Sequence, residues 1–258
     1  MAEYRFCKVE DEGRLRIVTI NRPEVLNALH SEAHWEFDAI WNEFAADPEL
    51  WVGIITGTGE RAFSAGNDLK IQAAGRRGPR PKTGFAGITS RFDLEKPLIA
   101  AVNGIAMGGG FETALACDII IAAENAVFAL PEPRVGLIAG SGVHRLPRMI
   151  PQKWALGMIL TGRRVSAQEG YQMGFVNEVV PPGEAVAAAK RWAAQILECS
   201  PMAIRASKQS VYRSLDEPTL AAAMRTTYPA VAANLASEDY IEGPKAFSEK
   251  RRPDWKNR

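Results

Sequence analysis

Two glutamates in this chain stand among residues that otherwise read as apolar interior. "AMGGGFETALACD" (106–118) carries three consecutive glycines and then Glu112, in a segment that reads as a buried helix opening. "VFALPEPRVGL" (127–137) sets Glu132 between Pro131 and Pro133, with aliphatic and aromatic residues on both sides. A glycine costs a helix about 1 kcal/mol relative to alanine. A buried carboxylate costs more unless it is paired or changes its pKa. Two carboxylates sharing an apolar pocket can divide acid and base work, because their environments push their pKa values apart. Spacing alone does not single them out, since glutamates twenty residues apart are commonly surface charges.

The glycines add a second kind of chemistry. Unpaired N–H groups at a helix N-terminus attract negative charge, and glycine lets a ligand approach the backbone. The run 108–110 can present one such N–H, and "SAGND" (64–68) another. Two converging amides form an oxyanion hole, suited to an enolate or a tetrahedral intermediate. A dinucleotide-binding fingerprint fits poorly, because the glycines come late and are spaced GGG rather than GxGxxG.

The elements that must position these groups follow from pattern. "LRIVTI" (15–20), "WVGIIT" (51–56), "PLIAAV" (97–102) and "DIIIAA" (118–123) read as strands, the third apolar on both faces and so buried. Ser31 is the expected N-cap of a helix through about Ala46, with Ala33, Phe37, Ile40 and Phe44 on one face. "NRPEVLNAL" reads as a turn-rich connection and 57–69 as a glycine-bearing loop. "SAQEGYQMG" (166–174) has a capping box, Ser166 with Glu169, and Gly174 as C-cap. Strand and helix alternating in this way predict an α/β fold with crossover connections. The stretch 71–87 has no periodicity and four basic residues, which suits a solvated loop or a lid beside an anionic ligand. From about 183 onward the pattern turns almost wholly helical.

Composition narrows the classes. The chain has 258 residues, 47% hydrophobic and 24% charged, with a formal net charge of +1. That balance gives no reason to expect nucleic acid or an anionic membrane as partner. Cys7, Cys117 and Cys199 are far apart and lack metal-ligand spacing, so they are expected as reduced, packed thiols in a cytoplasmic protein, with no metal site. The first residues are charged and lack the apolar core of a secretory signal, and no apolar run approaches a membrane span.

The segments "NRPEVLNAL", "AFSAGNDL", "KPLIAAVNGIAMGGGFETALACD", "FALPEPRVGL", "LTGRRVSAQEG" and "EGPKAFSEKR" stand in the order seen in the enoyl-CoA hydratase/isomerase (crotonase) superfamily. The chain resembles that family over roughly residues 5–256. It is similar in particular to enoyl-CoA hydratases and, through "GFAGITSRFDLEKP" and the ending "EDYIEGPKAFSEKRRPDWKNR", to carnitinyl-CoA dehydratases. The resemblance implies a spiral core of repeated strand–strand–helix units over 1–195 that binds acyl-CoA. It also implies a helical region over 196–258 for oligomerisation, as a homotrimer or dimer of trimers, and for CoA contact.

The resemblance also implies roles. The N–H groups of Gly109 and Asn67 would grip the thioester oxygen. Glu112 would activate water and Glu132 would handle the Cα proton, while the Gly140 N–H helps hold the water. Ala139 and Val143 stand where many hydratases have Pro and Gly. Val25, Ala65, Asp68 and Leu69 match positions near the pantetheine and adenine. Phe247 and Lys250 match an aromatic and a lysine that reach CoA, in many relatives from a neighbouring subunit. No cofactor is expected beyond the CoA carried by the substrate. His30, His34 and His144 match no catalytic position, and His144 is expected in a structural or cleft-wall role. The implied reaction is hydration of an enoyl-CoA or its reverse. Other reactions of the fold (double-bond isomerisation, aromatic hydratase–lyase chemistry) and a non-catalytic RNA-binding role are the alternatives.

Overall fold

The computed structural model describes residues 4–75 and 78–258, so Arg76 and Arg77 of the basic 71–87 stretch lie outside the described residues. A short antiparallel hairpin opens the chain, β1 (Cys7–Glu12) and β2 (Leu15–Ile20). A 3-10 turn, Pro23–Val25, leads into α1 (Ser31–Ala46). Three strand–strand–helix units follow. The first is β3 (Val52–Gly57), β4 (Ala62–Ser64) and α2 (Leu69–Ala73). The second is β5 (Leu98–Val102), β6 (Ile105–Met107) and α3 (Gly109–Ala116). The third is β7 (Ile119–Ala123), β8 (Val127–Ala129) and, after a 3-10 turn at Glu132–Val135, α4 (Gly142–Met149). The chain then runs through α5 (Gln152–Thr161), β9 (Val165–Ser166), α6 (Ala167–Met173), β10 (Glu178–Val180) and α7 (Ala185–Leu197). It ends in α8 (Pro201–Ser214), α9 (Leu220–Arg225), α10 (Pro229–Leu235) and α11 (Glu238–Ser248).

The first strand of each unit joins one sheet and the second joins another. The larger sheet has the order β1-β2-β3-β5-β7-β10 and the smaller β4-β6-β8-β9. Apart from the pairs β1/β2 and β8/β9 every pairing is parallel. This is the spiral that the family resemblance implies. Alternation along the strands supplies two cores, since successive side chains point to opposite faces. Ile17, Ile54, Ile99 and Ile121 pack under α7 through Ala185, Ala188, Ala189 and Ala193. Val18, Ile55, Ala100 and Ile120 face the aromatic core of Phe37, Trp41, Phe44, Phe63, Phe111 and Phe128. The second core carries the glycine-rich opening of α3.

Four expectations need correction. The N-cap of α1 is His30, whose Nδ1 accepts from the Ala33 N–H, while Ser31 is already helical and donates its hydroxyl to the Pro79 carbonyl. The loop read at 57–69 contains β4. The aperiodic stretch after residue 70 begins in α2, a helix started by Asp68, whose Oδ1 accepts from the Ile71 N–H at 3.4 Å. Cys199 is exposed rather than packed, whereas Cys7 and Cys117 are buried. The capping box Ser166–Glu169 and the left-handed Gly174 stand as expected. No helix among the described residues is long and apolar enough to cross a membrane.

Candidate active site

The three glycines open α3 because nothing larger fits. Gly108 has φ 53° and ψ −124°, and a Cβ there would come within 2.7 Å of Glu132 Oε1. A Cβ on Gly109 would meet the Phe85 ring at 2.6 Å, and one on Gly110 the Ser64 carbonyl oxygen at 2.1 Å. Gly66, at φ 88°, presses on the same place from the other side, since its Cβ would lie 2.5 Å from Met107 O and 3.0 Å from the Gly109 nitrogen. The loop 64–68 and the start of α3 therefore abut.

Gly109 and Asn67, the residue after Gly66, both lie at this junction. Gly109 is the first residue of α3, so its N–H precedes the intrahelical ladder. Asn67 forms an isolated parallel bridge with Leu29. In that bridge the Leu29 N–H donates to Gly66 O and the Asp68 N–H donates to Leu29 O, each at 2.8 Å. The N–H of Asn67 itself thus points away from Leu29. The 85–87 turn behind Gly109 is pinned to α1: Trp41 Nε1 donates to Ala86 O at 3.1 Å and the Ala86 N–H donates to His34 Nδ1 at 3.2 Å.

Glu112 is buried in α3, and one of its oxygens is fully engaged. Oε1 accepts from the Ser141 N–H at 2.5 Å, the Gly142 N–H at 2.7 Å and the Ser141 hydroxyl at 3.2 Å. These donors are the opening of α4, whose dipole favours a carboxylate there. Oε2 accepts no bond from the described residues. The expected donor, Gly140, lies one residue earlier: its Cβ would be 3.9 Å from Glu112 Oε1.

Glu132 is held differently. It begins the 3-10 turn after β8, half-buried, and its Oε2 is buried with no hydrogen-bond partner. Burial pushes its carboxyl up from the ordinary value to about 7; the Glu112 charge adds to the rise and its own backbone N–H opposes it. The strand–turn return thus brings both glutamates to one glycine run, as the sequence suggested.

The other expected residues divide into two groups. Ala65 is tied to the turn below α1, its N–H donating to Leu26 O at 2.9 Å, with Val25 half-buried beside it. Asp68 is buried and paired with Arg22 at 3.2 Å, so its carboxylate braces the loop that carries Asn67. Leu69 is exposed next to it. Phe247 and Lys250 are not brought to this cluster within the chain. Phe247 is 87% exposed on α11, which packs chiefly on α10, and Lys250 follows that helix at φ 53°. His144 is exposed on α4 and its carbonyl accepts from Arg148. Sequence reasoning missed Ser141, Phe85 and the Arg22–Asp68 pair. A faint signal existed for the first only, in the "GSG" run at 140–142.

The sequence matches the family described as "Enoyl-CoA hydratase/isomerase" over residues 10–258, and the chain belongs to that family. A curated relative from Salmonella typhi named carnitinyl-CoA dehydratase is 46% identical over 259 residues, covering 95% of this chain and 96% of its own. The solved enoyl-CoA hydratase of Mycobacterium tuberculosis H37Rv superposes with a TM-score of 0.92 at 37% identity, covering 98% of this chain and 99% of its own. The carnitinyl-CoA hydratase structure from Mycobacterium avium superposes with a TM-score of 0.79 at 41% identity, covering 99% and 100%.

Proposed function

We propose that this protein is a hydro-lyase that adds water across the 2,3 double bond of an enoyl-CoA thioester, or removes it from the 3-hydroxyacyl-CoA. The observation that carries this reading is the pair of glutamates at one glycine run, one oriented by three donors and the other with an unpartnered buried oxygen. The thioester oxygen sits between the N–H groups of Gly109 and Asn67, which meet the negative charge that develops on it. Such a donor is worth about 10²–10³ in rate.

Glu112 Oε2 takes a proton from water as the water oxygen bonds to Cβ. Glu132, its carboxyl raised to about 7, delivers its proton to Cα. In the reverse direction Glu132 removes the Cα proton and Glu112 protonates the departing hydroxyl. Gly140, whose Cβ position lies 3.9 Å from Glu112 Oε1, offers its N–H as a further donor to the water. CoA runs past Val25, Ala65, Asp68 and Leu69. Phe247 and Lys250, both exposed within one chain, reach it from a neighbouring protomer. Residues 196–258 serve that assembly as a trimer or paired trimers. Leu220, Met224, Ile241 and Phe247 are largely exposed there, and a monomer rarely leaves so much apolar surface wet. The residues named supply every proton transfer, so no cofactor is invoked beyond the CoA of the substrate, and the cytoplasm is the expected compartment. The relatives named carnitinyl-CoA dehydratase make carnitinyl-CoA one candidate thioester.

The test is loss of enoyl absorbance with a panel of short, aromatic and quaternary-ammonium enoyl-CoA thioesters. At least one should be hydrated at a kcat of order 1 s⁻¹ or faster. Double-bond migration without water addition across the panel would sink the reading in favour of an isomerase.

A further inference from the structure

We propose that Arg145 is a positioning residue that holds Glu112 in register with the oxyanion hole, and so serves water addition rather than transfer of the Cα proton. This role rests on the reading above of Glu112 as the base for water. Arg145 lies on α4, and its backbone N–H donates to the Ser141 carbonyl at 2.9 Å. It therefore stands one helical turn below the N–H groups of Ser141 and Gly142 that hold Glu112 Oε1. Its side chain reaches the other way, where Nη2 donates to the Thr89 carbonyl at 3.1 Å. Thr89 and Phe85 are joined in both directions. The Phe85 N–H donates to Thr89 Oγ1 at 2.8 Å, and the Thr89 N–H donates to the Phe85 carbonyl at 3.2 Å. Phe85 is the wall against Gly109, its ring within 2.6 Å of where a Cβ would stand. Arg145 thus spans from the opening of α4 to the wall of the oxyanion hole.

A half-buried cation is a costly strut, and this one is sparsely paired. Its side chain has the Thr89 carbonyl and the face of Phe92, whose centroid is 5.6 Å from Cζ. Burial lowers the guanidinium pKa, with Asp118 and Glu112 among the charges that oppose the drop. The two ends of the strut are not equally free. The 85–87 turn is tied to α1 independently, through Trp41 Nε1 on the Ala86 carbonyl and the Ala86 N–H on His34 Nδ1. The opening of α4 has no side-chain cap of its own. Loss of the Arg145 bond therefore loosens the α4 opening and leaves the oxyanion-hole wall in place. The carboxylate set by the Ser141 and Gly142 amides then shifts relative to the thioester. Glu132, on the turn after β8, has no part in this path of contacts.

Two rates and one spectrum separate this from a merely structural role. Hydration of crotonyl-CoA reads Glu112, and deuterium exchange at Cα of butyryl-CoA in D2O reads Glu132. Arg145→Gln should lower the hydration kcat roughly tenfold to a hundredfold, the scale of a slightly misplaced catalytic group. KM should stay nearly unchanged, and exchange should stay within about threefold of wild type. Arg145→Lys should recover part of the hydration rate, and it carries the same test if Arg145→Gln does not fold. Arg148→Gln is the control, an exposed arginine whose side chain donates to the His144 carbonyl of the same helix, and it should change neither rate. Hydration and exchange falling by the same factor would overturn the proposal, as would an equal loss in Arg148→Gln. The amide protons of Ser141 and Gly142 report without turnover. In Arg145→Gln their NMR signals should move upfield as the bonds to Glu112 Oε1 lengthen, and in Arg145→Lys they should return part of the way. Unmoved signals would overturn the proposal whatever the rates do. A wild-type protein that hydrates no thioester would remove the hydro-lyase reading, and the amide signals would still decide whether Arg145 holds Glu112.

Discussion

Glu112 sits in the helix that the three glycines open and Glu132 lies against the first of them, and the two are held in opposite ways. The α3–α4 junction gives Glu112 three donors on one oxygen, two of them backbone N–H groups that no side-chain substitution at Ser141 or Gly142 removes. The turn after β8 gives Glu132 burial and a neighbouring carboxylate, and leaves one oxygen with nothing. A carboxylate satisfied by preformed dipoles is oriented for one task. A carboxyl whose anion is poorly solvated holds its proton near neutral pH and can both give and take it. The lesson is that the fold assigns acid and base by local hydrogen-bond supply, with the same residue type at both positions.

The comparison breaks most sharply at Glu132. Glu132→Gln keeps shape and removes the titrating group, so hydration should fall by roughly 10²–10⁴ while CoA binding and the melting transition survive. Turnover within tenfold of wild type would take the residue out of the chemistry. Gly108→Ala strikes the Glu132 side chain directly and reaches Glu112 only through the backbone, where the Gly108 carbonyl accepts from the Glu112 N–H at 2.9 Å. Its Cβ has no room at φ 53° and would strike Glu132 Oε1, so a drop of about tenfold or more in kcat is expected, with a destabilisation of about 1–3 kcal/mol read by chemical denaturation. Normal kinetics with lowered stability would show that the glycine serves folding only.

Ser141→Ala sharpens the other side. It removes the weakest of the three donors to Glu112, the 3.2 Å hydroxyl, and leaves both backbone bonds. A net hydrogen bond of about 1 kcal/mol corresponds to roughly a fivefold fall in kcat. Ser141→Thr should recover much of it. The smallest effect is on stability. The folded-state pKa of Glu132 is raised to about 7, so between the ordinary carboxylate value and 7 the native state binds more protons than the unfolded one. Its contribution to stability is therefore present at low pH and lost as pH rises through about 7. Glu132→Gln should gain a few degrees in Tm over wild type at pH 8, and the gain should shrink by pH 5. A Tm difference independent of pH would mean that Glu132 does not titrate in this window.

Much of the architecture was legible because it is written locally. Strands such as Leu98–Val102 are continuous apolar runs, and the Ser166–Glu169 box and Gly174 mark their helix ends without help from elsewhere. The N-cap of α1 falls at His30 rather than Ser31 because the capping group is an imidazole, whose role depends on rotamer rather than residue class. The glycine run and the two glutamates announced a site, since each is costly in a packed interior. What stayed hidden is long-range. Ser141 meets Glu112 across twenty-nine positions and Arg80 meets Asn67 across thirteen. No periodicity links such pairs. Nothing near Asp68 in sequence marks its partner Arg22, forty-six positions away.

The central claim is that Glu132, and not Glu112, exchanges the Cα proton. It is tested most directly by incubating butyryl-CoA with the protein in D2O and following loss of the Cα proton signal by NMR. Butyryl-CoA has no double bond, so water addition cannot interfere and only enolisation is read. The account predicts exchange by the wild-type protein that speeds up as pH rises through about 7, where Glu132 ionises. It predicts exchange retained in Glu112→Gln and lost in Glu132→Gln. Exchange lost in Glu112→Gln and retained in Glu132→Gln would contradict it and reverse the two roles.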